Sequence, residues 1–478
     1  MTATSSTPGV DHAGLAAATA AGVGDGARFA GLLGVPRGRG LGLRAVLARP
    51  GQIVTLGATL PPGITSYPAL TPLVGAASWY ERRLHDLHGI VPAGHPALDP
   101  LVGSPGEGEP LAPHAGGEGV FTIPYGPVRS GVFESVEYLV ETPGEDIPHL
   151  RTRVDHKHRG IQARFGGLPL HDAVLLAERA EGVASVAHAV AFCQAVEGLS
   201  GARVPLRACL VRALHAELER AANHLDSAAR HTEGAGQAVA HARITLHKER
   251  VLRLQAALCG SRFGRGVVTP GGVSGPPRLP APEIVAAIDS LESGARADAG
   301  LLMATPSFLD RLRGTGVLTA EVAAAHGALG PVGRGSGATW DVRSDLPYGA
   351  YGTVLELDAP ARSDGGDALA RQHVRWEETW TALSLARRAA EALARQGDGA
   401  WRGEVSPATG EALGWAEAPQ GEVLYLVELE EGRLVGAQPR SASFHNLALL
   451  PGAFGSDIFT DFVFIEASFG LSIAGVSG

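Results

Sequence analysis

Two titratable side chains, Glu181 and His188, stand close together in a stretch of mostly small and apolar residues. If Glu181 is buried against apolar surface, it can take up and release a proton near neutrality, because burial disfavours the charged form of a carboxyl group. The alternative is a carboxylate at the start of a helix that only interacts with the helix dipole. The sequence leaves both interpretations equally open.

Histidines form two groups that raise the question of a metal site. One group combines three histidines with an aspartate: His85, Asp86, His88 and His95. The other is the pair His156-x-His158. An isolated His-x-His pair is usually surface or core histidine, and we favour a structural role over metal binding for both groups.

Two further pairs have spacings that predict polar contacts. Asp341 and Arg343 are separated by one residue in a glycine-rich stretch and can form a charge-assisted pair. Glu219 and Asn223 lie one turn apart if their segment is helical. We expect Glu219 and Asn223 to serve packing and polar satisfaction inside a helical bundle.

The periodicity of apolar residues predicts the elements that position these side chains. Residues 41–59 read as two strands on either side of Pro50-Gly51, and residues 72–89 have helical spacing. Further helices are predicted over residues 170–196, from Pro205, and over residues 237–258, 282–297 and 366–396. Residues 327–352 are predicted to be loop, and residues 421–438 a β-hairpin.

The fold class that follows is α+β, with a small N-terminal α+β domain before a mainly helical domain that carries a small β-sheet. Residues 1–27 are rich in Ala, Gly and Thr and are predicted to be a disordered lead-in. Residues 103–119 are crowded with Gly, Pro and Glu, which is typical of a linker. The predicted domains are therefore residues 28–102 and 120–478.

Composition excludes several classes of protein. The net charge of −9 over 478 residues argues against nucleic-acid binding. The three cysteines, Cys193, Cys209 and Cys259, form no Cys-x-x-Cys pair and no disulfide framework, which favours a reducing cytoplasm. No segment reaches the roughly 18 uncharged apolar residues of a membrane span, so we expect any membrane association to come through partner proteins.

Two segments resemble the nickel-binding motifs of nickel–iron hydrogenase large subunits. Residues 179–188 match Arg-x-Cys-Gly-x-Cys-x-x-x-His, with Glu181 and Ala184 at the cysteine positions. Residues 468–475 resemble the second motif, Ser-x-Asp-Pro-Cys-x-x-Cys, with Ser472 and Gly475 at the cysteine positions. Such a site needs soft thiolate ligands, so the resemblance implies a hydrogenase frame that binds no metal.

The chain as a whole resembles the quinone-site subunit of respiratory complex I and its formate-hydrogenlyase-type relatives. From about Tyr67 to the C-terminus, motifs occur in the family's order at residues 79–90, 156–162, 217–225, 336–351, 417–422 and 443–447. The first motif is similar to that of the 30 kDa subunit, and the others to those of the 49 kDa subunit. The resemblance therefore implies two subunits fused in one chain, and it implies that Glu81 and Asp86 are structural and that the neighbouring histidines hold no metal.

The resemblance also implies which residues line the cavity that nickel has vacated. Glu181, His158 and Arg159 are the candidate proton or quinone residues. The other candidate lining residues are Arg129, Arg179, His188, Asp341 and Arg343. The complex I tyrosine that contacts quinone has Gly182 at its position, and residues 130–133 contain no histidine to replace the quinone-site histidine.

Three functions are weighed. The first is an electron-transfer subunit of a membrane-associated, complex I-like NADH:quinone oxidoreductase or hydrogenase-related complex. It would lie on the cytoplasmic side of the cell membrane, held by an iron–sulfur small subunit and antiporter-like membrane subunits. No cofactor would be bound directly, a quinone could enter the cavity, and a 4Fe–4S cluster would belong to the partner. The second is a non-catalytic scaffold between the same partners. The third, an active hydrogenase, is disfavoured because the four cysteine positions carry no thiolate.

Overall fold

The structure, a computed structural model, describes residues 9–38, 40–102, 119–129, 134–455 and 457–478. Helix is the dominant regular structure, and the sheets are small and separate, which confirms the predicted α+β class. Across these described ranges, no helix is both long and apolar enough to span a membrane. The predicted linker over residues 103–119 lies outside the described ranges except for Gly119, so the division into two domains stays a prediction.

An antiparallel sheet begins the chain, with strands β1 (Arg28–Arg37), β2 (Gly40–Arg49) and β3 (Gln52–Leu60) in that order. The predicted turn at Pro50-Gly51 is confirmed: it joins β2 to β3, and Gly51 has φ of 76°, which glycine adopts without a steric penalty. Two short parallel strands and a helix that packs against β1 follow: β4 (Ser66–Pro68), α2 (Ser78–His88) and β5 (Val91–Ala93).

The disordered lead-in predicted over residues 1–27 is wrong over much of its length. Helix α1 (Leu15–Gly24) packs against β2 and β3, with Leu15 and Thr19 fully buried. The Thr19 hydroxyl donates to the Leu15 carbonyl oxygen at 2.7 Å. The alanine-rich composition that suggested disorder has high helix propensity, and burial against the sheet stabilises the helix. Residues 1–8 lie outside the described part.

The remainder of the chain is mainly helical. Its first helices are α3 (Ile161–Arg164), α4 (Leu170–Ala177), α5 (Ser185–Ser200), α6 (Leu206–Gly234), α7 (Ala238–Cys259), α8 (Ala281–Met303) and α9 (Pro306–Leu312). Its later helices are α10 (Ala320–His326), α11 (Gly330–Arg334), α12 (Val342–Asp345), α13 (Ala368–Ala394), α14 (Ala442–Leu447), α15 (Phe462–Phe469) and α16 (Ile473–Ser477). The long helices α6, α7, α8 and α13 pack on one another and form the central bundle.

Three small antiparallel sheets flank this bundle. Their strands are β6 (Phe121–Tyr125), β7 (Glu137–Thr142), β8 (His149–Arg153), β9 (Val268–Thr269), β10 (Gly272–Val273), β11 (Gly410–Ala418), β12 (Gly421–Glu430) and β13 (Arg433–Arg440). The hairpin predicted over residues 421–438 is confirmed as β12 and β13, and β11 adds a strand that the sequence did not predict.

The single helix predicted over residues 170–196 is wrong in its middle. Helix α4 ends at Ala177 and α5 begins at Ser185, and the seven intervening residues include the titratable Glu181. Ala184 has φ −136° and ψ 35°, which is not helical. Tertiary hydrogen bonds to the carbonyl oxygens of Arg179 and Ala180 hold this break, and periodicity along the chain cannot reveal such bonds.

The loop predicted over residues 327–352 is also partly wrong, because it contains the short helices α11 and α12. The Asp341 carboxylate accepts a hydrogen bond from the Arg343 N–H at 2.9 Å and caps α12. The other predicted helices are confirmed to within a few residues, except that α2 begins only at Ser78 and α8 continues to Met303.

One hydrophobic core joins the two ends of the chain. Phe29 and Tyr80 of the N-terminal unit pack in a single cluster with Phe444 and with residues of α15 and α16. The Tyr80 hydroxyl donates to His445 Nδ1 at 2.8 Å, while His445 Nε2 donates to the Gly327 carbonyl oxygen at 2.9 Å. The C-terminal residues are therefore part of the protein interior.

Candidate functional site

The break between α4 and α5 places the Glu181 carboxylate inside the protein, with none of its surface exposed. His188, on the first turn of α5, lies 3.2 Å from Glu181 Oε2 through its Nε2. Its Nδ1 lies 2.9 Å from the Tyr425 hydroxyl of β12. A neutral imidazole that donates through Nε2 to the carboxylate and accepts the Tyr425 O–H at Nδ1 satisfies all three groups.

Tyr425 is held as a hydrogen-bond donor. Burial, and secondarily the charge of Glu181, raise the pKa of Tyr425 well above its usual range. Its ring packs at a right angle on the His188 imidazole. Glu181 is buried, but its carboxylate contacts the polar groups of His188 and Ser443. Its role in proton handling stays a prediction.

The C-terminal segment closes over the other side of Glu181. The Ser443 hydroxyl donates to Glu181 Oε1 at 2.5 Å and accepts the Ser472 N–H at 3.1 Å. A β-carbon added at Gly475 would lie 2.6 Å from Glu181 Oε2, which is well inside van der Waals contact. The carboxylate thus occupies the space into which a side chain at position 475 would project.

This arrangement does not fit a nickel–iron centre. The four positions that resemble thiolate ligands carry Glu181, Ala184, Ser472 and Gly475. None of these residues supplies a soft sulfur ligand. The space beside Gly475 is filled by a carboxylate that already has two hydrogen-bond partners, His188 and Ser443.

His158 and Arg159 connect the site to the C-terminal segment. Arg159 donates to the carbonyl oxygens of Arg179, Ala180 and Ala474 at 2.8, 2.5 and 2.9 Å. Burial lowers the pKa of the Arg159 guanidinium, while the charges of nearby carboxylates oppose that shift. His158 Nδ1 donates to the Ser477 carbonyl oxygen at 2.5 Å. Arg159 is close enough to Glu181 for a charge interaction, whereas the hydrogen bond of His158 is to the C-terminal backbone. The roles of both residues in the site stay predictions.

Glu134 is a site residue that sequence reasoning missed. Its carboxylate accepts the Ser472 hydroxyl at 2.9 Å, the Ala474 N–H at 3.3 Å and the Ile473 N–H. It therefore holds the start of α16, which carries Gly475. Nothing in the local sequence marks Glu134, because its partners lie more than 330 residues away.

Two predicted lining residues, Arg129 and Arg179, form no hydrogen bond or ion pair with the Glu181–His188 pair in the described part of the chain, so the prediction that they line its cavity is not supported. Arg129 lies between the rings of Tyr125 and Tyr138 and forms two hydrogen bonds to Glu466, at 2.9 and 2.7 Å. The Arg179 side chain is 52% exposed. Only the backbone carbonyl of Arg179 belongs to the site, where it accepts from Arg159.

Asp341 and Arg343 form the predicted pair, but in a separate buried network. Arg343 donates to Asp341 at 2.7 and 3.0 Å and to the Glu217 carboxylate at 2.9 Å. Burial alone would raise the pKa of Asp341, but Arg343 and Arg334 hold it below its usual range. The network continues through five further buried residues: Arg220, His224, Arg334, Glu378 and Glu417.

The structural role predicted for the N-terminal acidic residues is confirmed. Glu81 accepts the N–H groups of Leu70 and Thr71 at 2.8 and 2.9 Å. Asp86 accepts those of Leu101 and Val102 at 2.7 and 2.9 Å. Among the residues that the structure describes, no group of three or more His, Cys, Asp or Glu side chains is arranged to hold a metal.

Two family models match the chain. Respiratory-chain NADH dehydrogenase, 30 Kd subunit, matches residues 40–114, and respiratory-chain NADH dehydrogenase, 49 Kd subunit, matches residues 236–405. The carbon monoxide-induced hydrogenase of Rhodospirillum rubrum is 32% identical over 64% of this chain and 85% of its own length. A subunit of the NADH-quinone oxidoreductase of Streptomyces griseus is 28% identical over 70% of this chain and 87% of its own length.

A solved structure shows the same fold. One chain of the membrane-bound sulfane sulfur reductase, an archaeal respiratory membrane complex, superposes with a TM-score of 0.69 at 21% identity. The match covers 76% of this chain and 99% of that chain.

Proposed function

We infer the function of this chain from its family: it belongs to the family of respiratory-chain NADH dehydrogenase 30 kDa- and 49 kDa-like subunits and membrane-bound hydrogenase subunits. Its curated relatives are subunits of hydrogenases and NADH-quinone oxidoreductases. We propose that it is an electron-transfer subunit of a membrane-associated, complex I-like oxidoreductase, on the cytoplasmic side of the membrane, and that it has no nickel site of its own.

The observation that carries this proposal is the buried contact between Glu181 and His188. A carboxylate and an imidazole are both groups that can accept and release protons in general acid–base catalysis. Here they stand where the related hydrogenase motif has a metal ligand and its neighbouring histidine. In our proposal the pair moves protons that accompany electron transfer, while His158 and Arg159 fix the backbone around it.

The proposed partners begin with a source of electrons. The chain has three cysteines, one fewer than the four thiolates that hold a 4Fe–4S cluster. We propose that an iron–sulfur small subunit supplies the cluster and that antiporter-like membrane subunits anchor the assembly. Affinity capture of the tagged protein from gently solubilised native membranes should recover both kinds of subunit. Recovery of the chain alone from the soluble fraction would contradict the partner assignment.

A quinone headgroup site is less well supported than proton handling. A quinone needs free hydrogen-bond donors, and Tyr425 and His158 already donate to His188 and to a backbone carbonyl. Arg159 donates three hydrogen bonds to backbone carbonyls, and its buried Nε has no partner among the described residues. The complex I tyrosine position is Gly182. Any quinone used by the complex would, on this proposal, exchange protons through the Glu181–His188 pair.

A non-catalytic scaffold is the second candidate, and one observation favours it. The Glu181 carboxylate fills the space beside Gly475, so the vacated ligand positions are packed with the chain's own atoms. In this alternative the Glu181–His188 contact only stabilises the fold, and electrons and protons take no path through it.

Glu181→Gln separates the two candidates, because glutamine keeps an oxygen for the Ser443 hydroxyl but cannot exchange a proton. In the assembled complex we expect electron flux to fall at least roughly a hundredfold, the lower end of what a positioned acid–base group contributes. Glu233→Gln is the matched control, since Glu233 is an exposed carboxylate on α6. Wild-type flux in an assembled Glu181→Gln complex would establish the scaffold instead.

A further inference from the structure

Glu219, on α6, is a buried carboxylate that contacts the start of α5, the helix that carries His188. It accepts the N–H groups of Val186 and Ala187 at 2.7 and 3.1 Å. These N–H groups belong to the first turn of α5, and the residue before that helix, Ala184, provides no side-chain cap. The charge of Glu181 contributes, after burial and the hydrogen bonds, to a raised pKa of Glu219. The two acidic groups are therefore close enough to interact electrostatically.

A cavity lies on the other side of Glu219. Its volume is about 100 Å³, which is enough for several water molecules. Gly182 and Val183, the residues that follow Glu181, form one wall, and Ala222 and Asn223 of α6 form another. Charged side chains line its outer part, and of these Lys248 and Arg262 are 33% and 45% exposed. The cavity is thus lined both by Glu219 and by partly exposed side chains.

The surroundings of Glu219 bring the pKa of its carboxyl group near to neutral pH. Burial raises the pKa of Glu219 to about 8, against the opposing effect of the two N–H groups from α5. The charged groups that face it or its cavity are Glu181, Arg220, Asp226, Lys248 and Arg262. Asp226 pairs with Lys248 at 2.6 Å and with Arg230 at 3.0 Å, and Arg262 pairs with Glu249 at 2.6 Å. In the described part of the chain none of these cations, nor Arg220, forms an ion pair with Glu219.

We propose that Glu219 passes protons between the Glu181–His188 pair and solvent through this cavity. The inference rests on the proposed function, which requires protons at the pair. In each transfer the Glu219 carboxyl releases its proton toward Glu181 and regains one from water in the cavity, and the reverse sequence exports a proton. No electron moves and no bond other than O–H is made or broken.

The competing interpretation is that Glu219 only caps α5. Glu219→Gln distinguishes the two, because the amide oxygen still accepts an N–H of α5 but the group no longer titrates. Glu233→Gln again removes a carboxylate from α6, at an exposed position. A second variant, Ala222→Met, fills the cavity and leaves the Glu219 carboxyl group in place.

Infrared difference spectroscopy of the purified chain tests the titration without any turnover. We expect a protonated carboxyl band that disappears as the pH rises through about 8, that shifts on exchange into D₂O, and that is missing in Glu219→Gln only. A spectrum in which Glu219→Gln removes no such band overturns the inference, whatever the flux measurements show.

Flux in the assembled complex then tests the path. We expect Glu219→Gln to lower it at least roughly a hundredfold, and Ala222→Met to lower it while the infrared band persists. If Glu181→Gln lowers flux but neither of these variants does, the path through Glu219 is wrong and the proposed function stands. If Glu181→Gln itself leaves flux unchanged, the proposed function is wrong, and with it the path.

Discussion

The Glu181 carboxylate takes the place of a side chain at Gly475: a β-carbon there would lie 2.6 Å from Oε2 and 2.7 Å from the carboxyl carbon. Glu181 and Gly475 stand at two of the four positions that resemble hydrogenase thiolate ligands. The glutamate at position 181 and the glycine at position 475 fit together, whereas a larger residue at position 475 would collide with the Glu181 carboxylate.

Gly475→Ala should therefore destabilise the protein. The new methyl group forces the carboxylate away from Ser443 and His188, and overpacking of this kind typically costs about 1–3 kcal/mol. Urea denaturation measures the change in the free energy of unfolding. The double variant Glu181→Ala/Gly475→Ala should recover most of the packing loss, because the carboxylate that collides has been removed.

Gly198→Ala is the matched control for this experiment. Gly198 also lies in a helix, α5, and a β-carbon there would meet nothing within 4 Å. This substitution should leave stability unchanged or raise it by roughly 0.5–1 kcal/mol. Equal effects of the two alanine substitutions would contradict the packing relationship between positions 181 and 475.

Arg343→Met should be among the most destabilising single substitutions. It leaves the Asp341 and Glu217 carboxylates buried without their main cationic partner, and breaking a buried pair costs about 3–5 kcal/mol. Arg387→Met is the comparison, because the ion pair of Arg387 with Asp289 is solvent-exposed and is worth at most roughly 1 kcal/mol. Similar shifts in the urea midpoint for both variants would count against this ranking.

Acid should weaken the fold between about pH 6.5 and pH 4. Burial lowers the pKa of four histidines: His215, His224 and His231 to about 4, and His445 to about 3. The unfolded chain takes up these protons near pH 6.5 and the folded chain does not, so stability falls as pH falls. Each histidine contributes up to about 1.4 kcal/mol per pH unit in this window.

The histidine effect can be isolated by comparing two variants. His445→Gln should flatten the dependence of the unfolding free energy on pH by one histidine's share, and His171→Gln, at a side chain that is 78% exposed, should not. Both variants keep Glu219 and Glu417, so the effects of these two residues on the pH dependence cancel in the comparison. Their raised pKa values, about 8 and about 7, make stability fall as pH rises. Indistinguishable slopes for the two variants would refute the prediction.

Purified protein from cells supplied with nickel should contain no stoichiometric nickel. The physical reason is the absence of thiolates at positions 181, 184, 472 and 475. Elemental analysis by plasma mass spectrometry checks this, and a cysteine-containing hydrogenase large subunit prepared in parallel is the positive control. One nickel per chain would overturn the assignment.

The parts of the site that were predictable are those that a motif specifies. The resemblance to the two nickel-binding motifs assigns residues 179–188 and 468–475 to one site. The structure places Glu181 of the first segment against Gly475 of the second. The Asp341–Arg343 pair was predictable from spacing alone, because the two residues are near neighbours.

The parts that were missed depend on contacts between distant segments. Arg129 was placed at the site by its position in a motif, but Glu466, more than 300 residues later, pairs with its side chain. The contacts of Glu181 with Ser443, of His188 with Tyr425 and of Ser472 with Glu134 form only when distant segments fold together. Helix α1 was missed because its own composition is ambiguous, and packing on the sheet decides its conformation.

The shared core of Tyr80 and His445 has a consequence for synthesis of the protein. The two residues are 365 positions apart, and ribosomes add about 5–20 residues per second. The segment that covers the apolar surface around Tyr80 is therefore synthesised roughly 20–70 s after Tyr80 itself. During that interval the nascent N-terminal unit presents uncovered aromatic surface, so its production in cells should depend on chaperones that bind nascent chains.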